Sequence, residues 1–185
     1  MVVSDSYRDC DGELLSKNNA SFFVYVPQDT IHVIDGIFEP AFVTVSMLEF
    51  LERMNLTDTL DWIRYAGVDS YIMHAGGITI LAPSNEANAA LNPQVRERLL
   101  NDDQYLALVT MTHVLGRNYP IKYMVEGETV GGVKDIVFVR KFTNDDGSIR
   151  FSVDGGTSAN VILSDQFCND GVVHVLDGFL LPHEV

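Results

Sequence analysis

The residues able to do chemistry in this 185-residue sequence are few and scattered. Histidines stand at 32, 74, 113, 174 and 183, none of them at the spacing a metal site uses. The two cysteines, Cys10 and Cys168, are far apart and form no C-x-x-C pair. No G-x-S-x-G elbow, H-E-x-x-H, Walker loop or G-x-G-x-x-G occurs. Nucleophilic hydrolysis, zinc chemistry and nucleotide chemistry therefore have no signature here, and neither enzyme activity nor a cofactor or metal is expected. A Ser/His/Asp site assembled only in three dimensions is the one catalytic arrangement the sequence leaves open. The run "NDDG" at 144–147 lacks EF-hand ligand spacing and reads first as a hairpin tip.

Most of these polar residues have structural readings. Ser84 and Asn85 follow Pro83 at the start of a helical stretch, where their side chains can cap it. His32 and His174 sit inside apolar strands, where a lone histidine is usually hydrogen-bonded in the core. His113 closes an apolar helix, a place where a cation can also meet the helix dipole. Asp35 and Asp177 each precede Gly, the arrangement of a local turn. Asp102 and Asp103 stand where negative charge favours a helix start.

The elements that position them follow from periodicity. Two strand-like runs at 22–26 and 31–34 flank a Pro-containing turn. From about 44 to 66 the period changes, and Val45, Leu48, Leu51 and Met54 recur at helical steps. A second helix follows, with Thr57 or Asp58 as cap and Gly67 beyond its end. A strand at 78–81 leads through Pro83 into a short helix, and residues 93–116 read as a short helix and then a longer apolar one. Beyond Pro120 the pattern is β: "DIVFVRKF" and "SIRFSVDG" flank an Asp-Gly turn, and "SANVILSDQF" and "GVVHVLDGFLLP" supply the last strands. Helices first and antiparallel strands later argue an α+β fold.

Size and charge narrow the function. The length is a little more than one average domain, enough to bury roughly 70% of the unfolded surface without metal or disulfides. Twelve Lys and Arg against 26 Asp and Glu give a net charge of −14. Such a surface repels phosphate backbones and anionic lipid, so nucleic acid and bare membrane are poor partners, whereas a basic protein surface or divalent cations remain open. No apolar run is long enough to span a membrane, and the N-terminus has neither the basic start nor the apolar core of a signal peptide. The chain is thus either intracellular or a piece of a longer secreted one. Acceptor triplets at Asn19 ("NAS") and Asn55 ("NLT") lean toward secretion.

One stretch is written twice. "TIHVIDGIFEP" at 30–40 and "VVHVLDGFLLP" at 172–182 share His, Val, Asp, Gly and Pro in register, 142 positions apart. That offset is about one domain. Residues 1–40 then end one repeat or form a linker from it, and 41–185 make the next complete copy.

The motifs resemble the fasciclin-type adhesion domain. Its first signature box is similar to "ITILAPSNEAN" at 78–88, through Thr79, Ala82, Pro83, Asn85, Glu86 and Ala87. Its second is similar to "NDGVVHVLDGFLLP" at 169–182, through Gly171, Val172, His174, Val175, Asp177 and Pro182. Between them the family's Tyr-His pair survives as His113 preceded by Thr112. Departures are Asn88 where an aromatic usually closes the first box, Thr112 for the Tyr, and Asp165-Gln166 where some adhesive members carry Asp-Ile.

The resemblance implies a β-wedge of mostly antiparallel strands carrying several helices, in a secreted or cell-surface adhesion or matrix protein. It implies recognition of a protein partner: an integrin-type receptor, a matrix component or another copy. His113, Thr112, Asp165 and Gln166 are the candidate partner contacts, while Thr79, Pro83, Asn85, Glu86, His174 and Asp177 are mainly structural. Asn19 and Asn55 are candidate glycan acceptors. In a secreted chain Cys10 and Cys168 are a candidate disulfide, resisting alkylation until reduced. A spacer repeat is the alternative. A small-molecule, glycan-binding or cryptically catalytic domain is another, and it requires a polar, convergent pocket beside His113.

Overall fold

Residues 22–26, 30–34, 45–131 and 138–182 are described by the computed structural model. The chain divides into two units, Met1–Pro40 and Ala41–Val185. In the first, β1 (Phe22–Val26) pairs antiparallel with β2 (Thr30–Ile34), from Phe22↔Ile34 to Val26↔Thr30 without a register shift.

In the second unit the described residues form six helices and a seven-stranded sheet. The helices are α1 (Met47–Arg53), α2 (Thr57–Tyr65), α3 (Asp69–Ala75), α4 (Asn85–Ala89), α5 (Pro93–Asn101) and α6 (Asp103–Thr112). The strands are β3 (Ile78–Pro83), β4 (Val114–Leu115), β5 (Thr129–Gly131), β6 (Phe138–Thr143), β7 (Ile149–Val153), β8 (Ser158–Phe167) and β9 (Gly171–Leu176). Their order is β4-β3-β9-β8-β7-β6-β5, and every neighbouring pair is antiparallel except β3–β9. The fold is therefore α+β with a mostly antiparallel sheet.

The exceptional pair carries both signature boxes. Every residue of β3 and of β9 is buried, as expected of strands covered on both faces. Helices lie against one side, where Met47, Leu51, Ile63 and Ile72 pack with Ile78, Ile80 and Val173. Phe151, Val153, Leu115 and Leu180 pack with Leu81 and Leu176 in a second cluster. A third joins Leu99, Leu106 and Val109 to Phe179. Gly171 permits the close approach: a Cβ there would strike the Ile78 carbonyl oxygen and the Met47 thioether.

Local signals account for most helix starts. Ser84 Oγ accepts from Ala87 N at 3.1 Å and starts α4. Asn92 caps α5 with Pro93 at its first position, and Asp102 accepts from both Gln104 N and Tyr105 N to start α6.

Three readings are corrected. Neither Thr57 nor Asp58 caps α2, whose cap position is Leu56 with no side-chain bond. The Asp58 N–H instead donates to Asn85 Oδ1 at 3.3 Å, a cap supplied from another element. Met54, placed on the buried face of α1, is exposed, because the helix buries Met47 and Leu51 one turn apart and ends at Arg53. Asp177 makes no local turn bond; its carboxylate reaches across to β8, accepting from Asn160 N at 2.7 Å and Asn160 Nδ2 at 2.8 Å.

Candidate functional site

The second box and the strand facing it hold a chain of polar contacts inside apolar surroundings. His174 is fully buried on β9, where a neutral imidazole must satisfy one donor and one acceptor. Asp165 N–H can only donate, so His174 Nδ1, at 3.0 Å, is the acceptor and the ring proton sits on Nε2. That proton is given to Tyr119 O at 2.9 Å. Thr79 on β3 takes the Tyr119 N–H at 2.8 Å and donates to Arg117 O at 2.9 Å. Asp165 completes the circuit by accepting from Ile121 N at 2.8 Å. Thr79, His174 and Asp165 thus hold the 117–121 segment against three strands. Asp165 itself has φ of 54°, within an irregular stretch of β8. Its left-handed backbone, tolerated by Asp better than by most residues, turns its N–H toward the imidazole. Burial pushes the His174 pKa down, against the weaker opposing effects of the Tyr119 carbonyl and the Asp165 charge.

His113 does the same work at the end of α6 with the opposite tautomer. Nδ1–H donates to Val109 O at 2.8 Å, and Nε2 accepts from Leu180 N at 3.0 Å. Its ring meets Phe179 edge-on at 5.4 Å. Burial lowers its pKa to about 4, outweighing the Val109 carbonyl. The imidazole is therefore neutral and brings no cation to the end of α6. Thr112 is likewise inaccessible, with its hydroxyl donated back to Leu108 O at 2.8 Å. As surface contacts for a partner, Thr112 and His113 are corrected: their exposures are 0% and 6%. Asp165 and Gln166 are half-buried, and Gln166 Nε2 donates to Ser164 O.

The first box organises the helices. Asn85 Nδ2 donates to Asn55 O at 2.8 Å while its oxygen caps α2, and Thr59 Oγ1 donates to Pro83 O at 2.6 Å. Asn88, standing where the family has an aromatic, joins Asp58 Oδ2 at 2.6 Å to Trp62 Nε1 at 3.2 Å. Its carbonyl accepts from Arg96 Nη2. Glu86 is exposed in the first turn of α4, where its charge suits the helix dipole.

Beside His113 lies a cavity of only about 20 Å³, walled by Ile63, Leu99, Leu106, Val109, Phe179 and their neighbours. That is room for about one water molecule, and both imidazole nitrogens are already engaged. The polar, convergent pocket that a small-molecule, glycan-binding or catalytic reading requires beside His113 does not appear among the described residues. Among the described residues, no three His, Cys, Asp or Glu side chains converge as metal ligands. No described helix is long and apolar enough to cross a membrane.

A more open cleft lies between α2 and α5, about 210 Å³ in volume and lined by Asp58, Asp61, Trp62, Tyr65, Asn88, Arg96 and Leu100. None of Asp61, Trp62 or Tyr65 was singled out from sequence. The available signal was the spacing of Asp58, Asp61, Trp62 and Tyr65, which is one stripe of a helix.

Of the covalent candidates, Asn55 is exposed, with φ of 56°, between α1 and α2. Cys168 is buried, and burial, with Asp170 adding to it, pushes its thiol up to about 11. Such a thiol reacts slowly with or without a disulfide. Cys10 and Asn19 lie outside the described residues.

Comparison with known proteins gives a consistent result. The family model described as Fasciclin domain matches residues 54–182. Transforming growth factor-beta-induced protein ig-h3 of Oryctolagus cuniculus is 24% identical over 156 residues, covering 82% of this chain and 21% of that protein. Its counterpart in Sus scrofa is 26% identical over 137 residues, covering 70% and 19%. The chain thus spans about a fifth of the length of these curated relatives. Among solved structures, a FAS1 domain pair from the insect cell adhesion molecule Fasciclin I matches with a TM-score of 0.58 and 24% identity. That match covers 70% of this chain and 46% of the other, and it is a likeness of fold.

Proposed function

The chain belongs to the Fasciclin domain family, and from that premise we propose that it is an extracellular cell-adhesion or matrix-binding module that recognises protein partners. The observation that carries this reading is how the family motifs spend their polar groups. Thr79, Asn85, His113, His174 and Asp177 all bond within the fold, so the motifs build a scaffold rather than a reaction centre. Recognition then falls to the surface that the scaffold holds in place. Relatives whose names denote a growth-factor-induced protein and an insect adhesion molecule support the adhesive reading. The strand written twice supports residues 1–40 being the tail of a preceding repeat in a longer chain. In that setting Asn55, exposed in its turn, is the glycan acceptor, to be read by the mass lost on treatment with an N-glycosidase.

The test is cell attachment to the immobilised chain, with and without EDTA, beside an Asp165→Asn/Gln166→Ala variant. Cation-dependent attachment weakened in the variant supports an integrin-type receptor recognising the neighbourhood of Asp165. Failure of the folded chain to support attachment would favour a spacer repeat. The burial of Thr112 and His113, together with Gln166 in place of the family's Ile, gives that second reading its support.

A further inference from the structure

We propose that the cleft between α2 and α5 docks a lysine- or arginine-bearing segment of a protein partner, holding its cation between the carboxylates of Asp58 and Asp61 and the rings of Trp62 and Tyr65. The inference rests on the protein-recognition reading above and specifies the chemistry of the partner.

Asp58, Asp61, Trp62 and Tyr65 stand at i, i+3, i+4 and i+7 along α2 and face the same cleft. Two carboxylates followed by two aromatic rings attract a cation in two ways, through charge and through the ring quadrupole. Two members are fixed before any partner arrives, because Asn88 bonds both the Asp58 carboxylate and the Trp62 indole. Less ordering is then required on binding. Tyr65 is 74% exposed and meets Trp62 edge-on, with ring centres 6.5 Å apart, so its ring is open to a visitor. Neither Asp58 nor Asp61 has an ion-pair partner among the described residues.

The opposite wall suits the rest of such a segment. Leu100, 62% exposed, offers apolar surface to a long aliphatic stem. Arg96 is tied to the Asn88 carbonyl, which holds its guanidinium on that wall. The choice of a basic partner over a neutral saccharide comes from charge. The chain carries −14, and complementarity of sign both speeds encounter and selects partners.

Trp62 is the sole tryptophan, so its emission reports on this cleft. The full chain is titrated with an octalysine peptide, and a saturable change in emission that weakens about tenfold from low to high salt is expected. Asp61→Asn and Tyr65→Ala should each weaken binding about fivefold, with folding checked by circular dichroism. Asp145→Asn/Glu128→Gln, which removes charge far from α2 in sequence, should stay within about twofold of the parent. Silent emission, equal weakening by the control, or a salt-independent response to chitohexaose instead would each overturn the proposal. Because the titration uses the isolated chain, cell attachment that persists with a silent cleft removes this inference alone. Loss of attachment with a responsive cleft counts against the adhesive reading instead.

Discussion

Lowering the pH should destabilise this fold through His113 before it does so through most of the carboxylates. The native ring is buried, with its pKa held at about 4 against an ordinary 6.5. Between those values the unfolded chain takes up a proton that the folded chain refuses. The stability His113 contributes is thus fully present above pH 6.5 and lost as pH falls through about 4. The total is about 3 kcal/mol, a substantial share of a typical 5–15 kcal/mol. His174, also lowered by burial, acts in the same direction. Glu126 and Asp146, whose lowered carboxyls bond Thr143 and Ser148, lose their contribution only below their ordinary 4.5 and 3.8. Falling net charge works the other way.

A comparison with His113→Gln isolates the effect, since glutamine keeps a donor and an acceptor but takes up no proton. At pH 7 the variant should be about 2 kcal/mol less stable, through lost packing on Phe179 and poorer geometry at Leu180 N–H. The parent's disadvantage on acidification reaches the same size near about pH 5, so the order of stability should invert there. The assay is urea unfolding followed by Trp62 fluorescence from pH 7 to pH 4. Parallel stability curves for the two proteins would refute the reasoning, because they would mean that His113 titrates normally in the folded state.

Three further outcomes follow from the same contacts. Thr79→Val keeps the shape but leaves the buried-side Tyr119 N–H without its acceptor, and should lose about 1–3 kcal/mol, with faster amide exchange confined at first to residues 117–121. Gly171→Ala pushes β9 off the Ile78 carbonyl and Met47, and should lose about 3 kcal/mol or more in chemical denaturation; a neutral result would mean the two strands are not so closely apposed. Asp165→Asn should be nearly neutral, whereas Asp165→Ala loses both the Ile121 bond and a residue that accepts positive φ, about 2 kcal/mol together by thermal melting.

Much of this was legible in the sequence because the deciding forces were local. Ser84 and Asp102 cap the helices that follow them, and the Asp-Gly hairpin lies between β6 and β7. The two boxes could be recognised because their signature residues, Thr79, Pro83 and Asn85 in one and His174 and Asp177 in the other, stand in short contiguous runs. What was missed depended on distant partners. Helix α3 is short, with Ile72 its one fully buried residue, so it carries no clear periodicity. Asn85 serves a helix nearly thirty residues upstream, and Asp177 a neighbouring strand, in each case displacing the local bond its type suggests. His113 could be placed at a helix end but not given its second partner, because Leu180 N–H arrives from the end of the domain. The cleft was overlooked because its two walls come from different helices.

The parallel pairing of β3 with β9 also governs how the chain reaches this state. Ile78 lies against Gly171, so the central strands meet only after almost the whole domain has been synthesised and its intervening loop closed. Until then β3 has an open edge awaiting a strand. The slot beside β3 therefore stays open through most of synthesis, the interval in which a wrong strand can enter it.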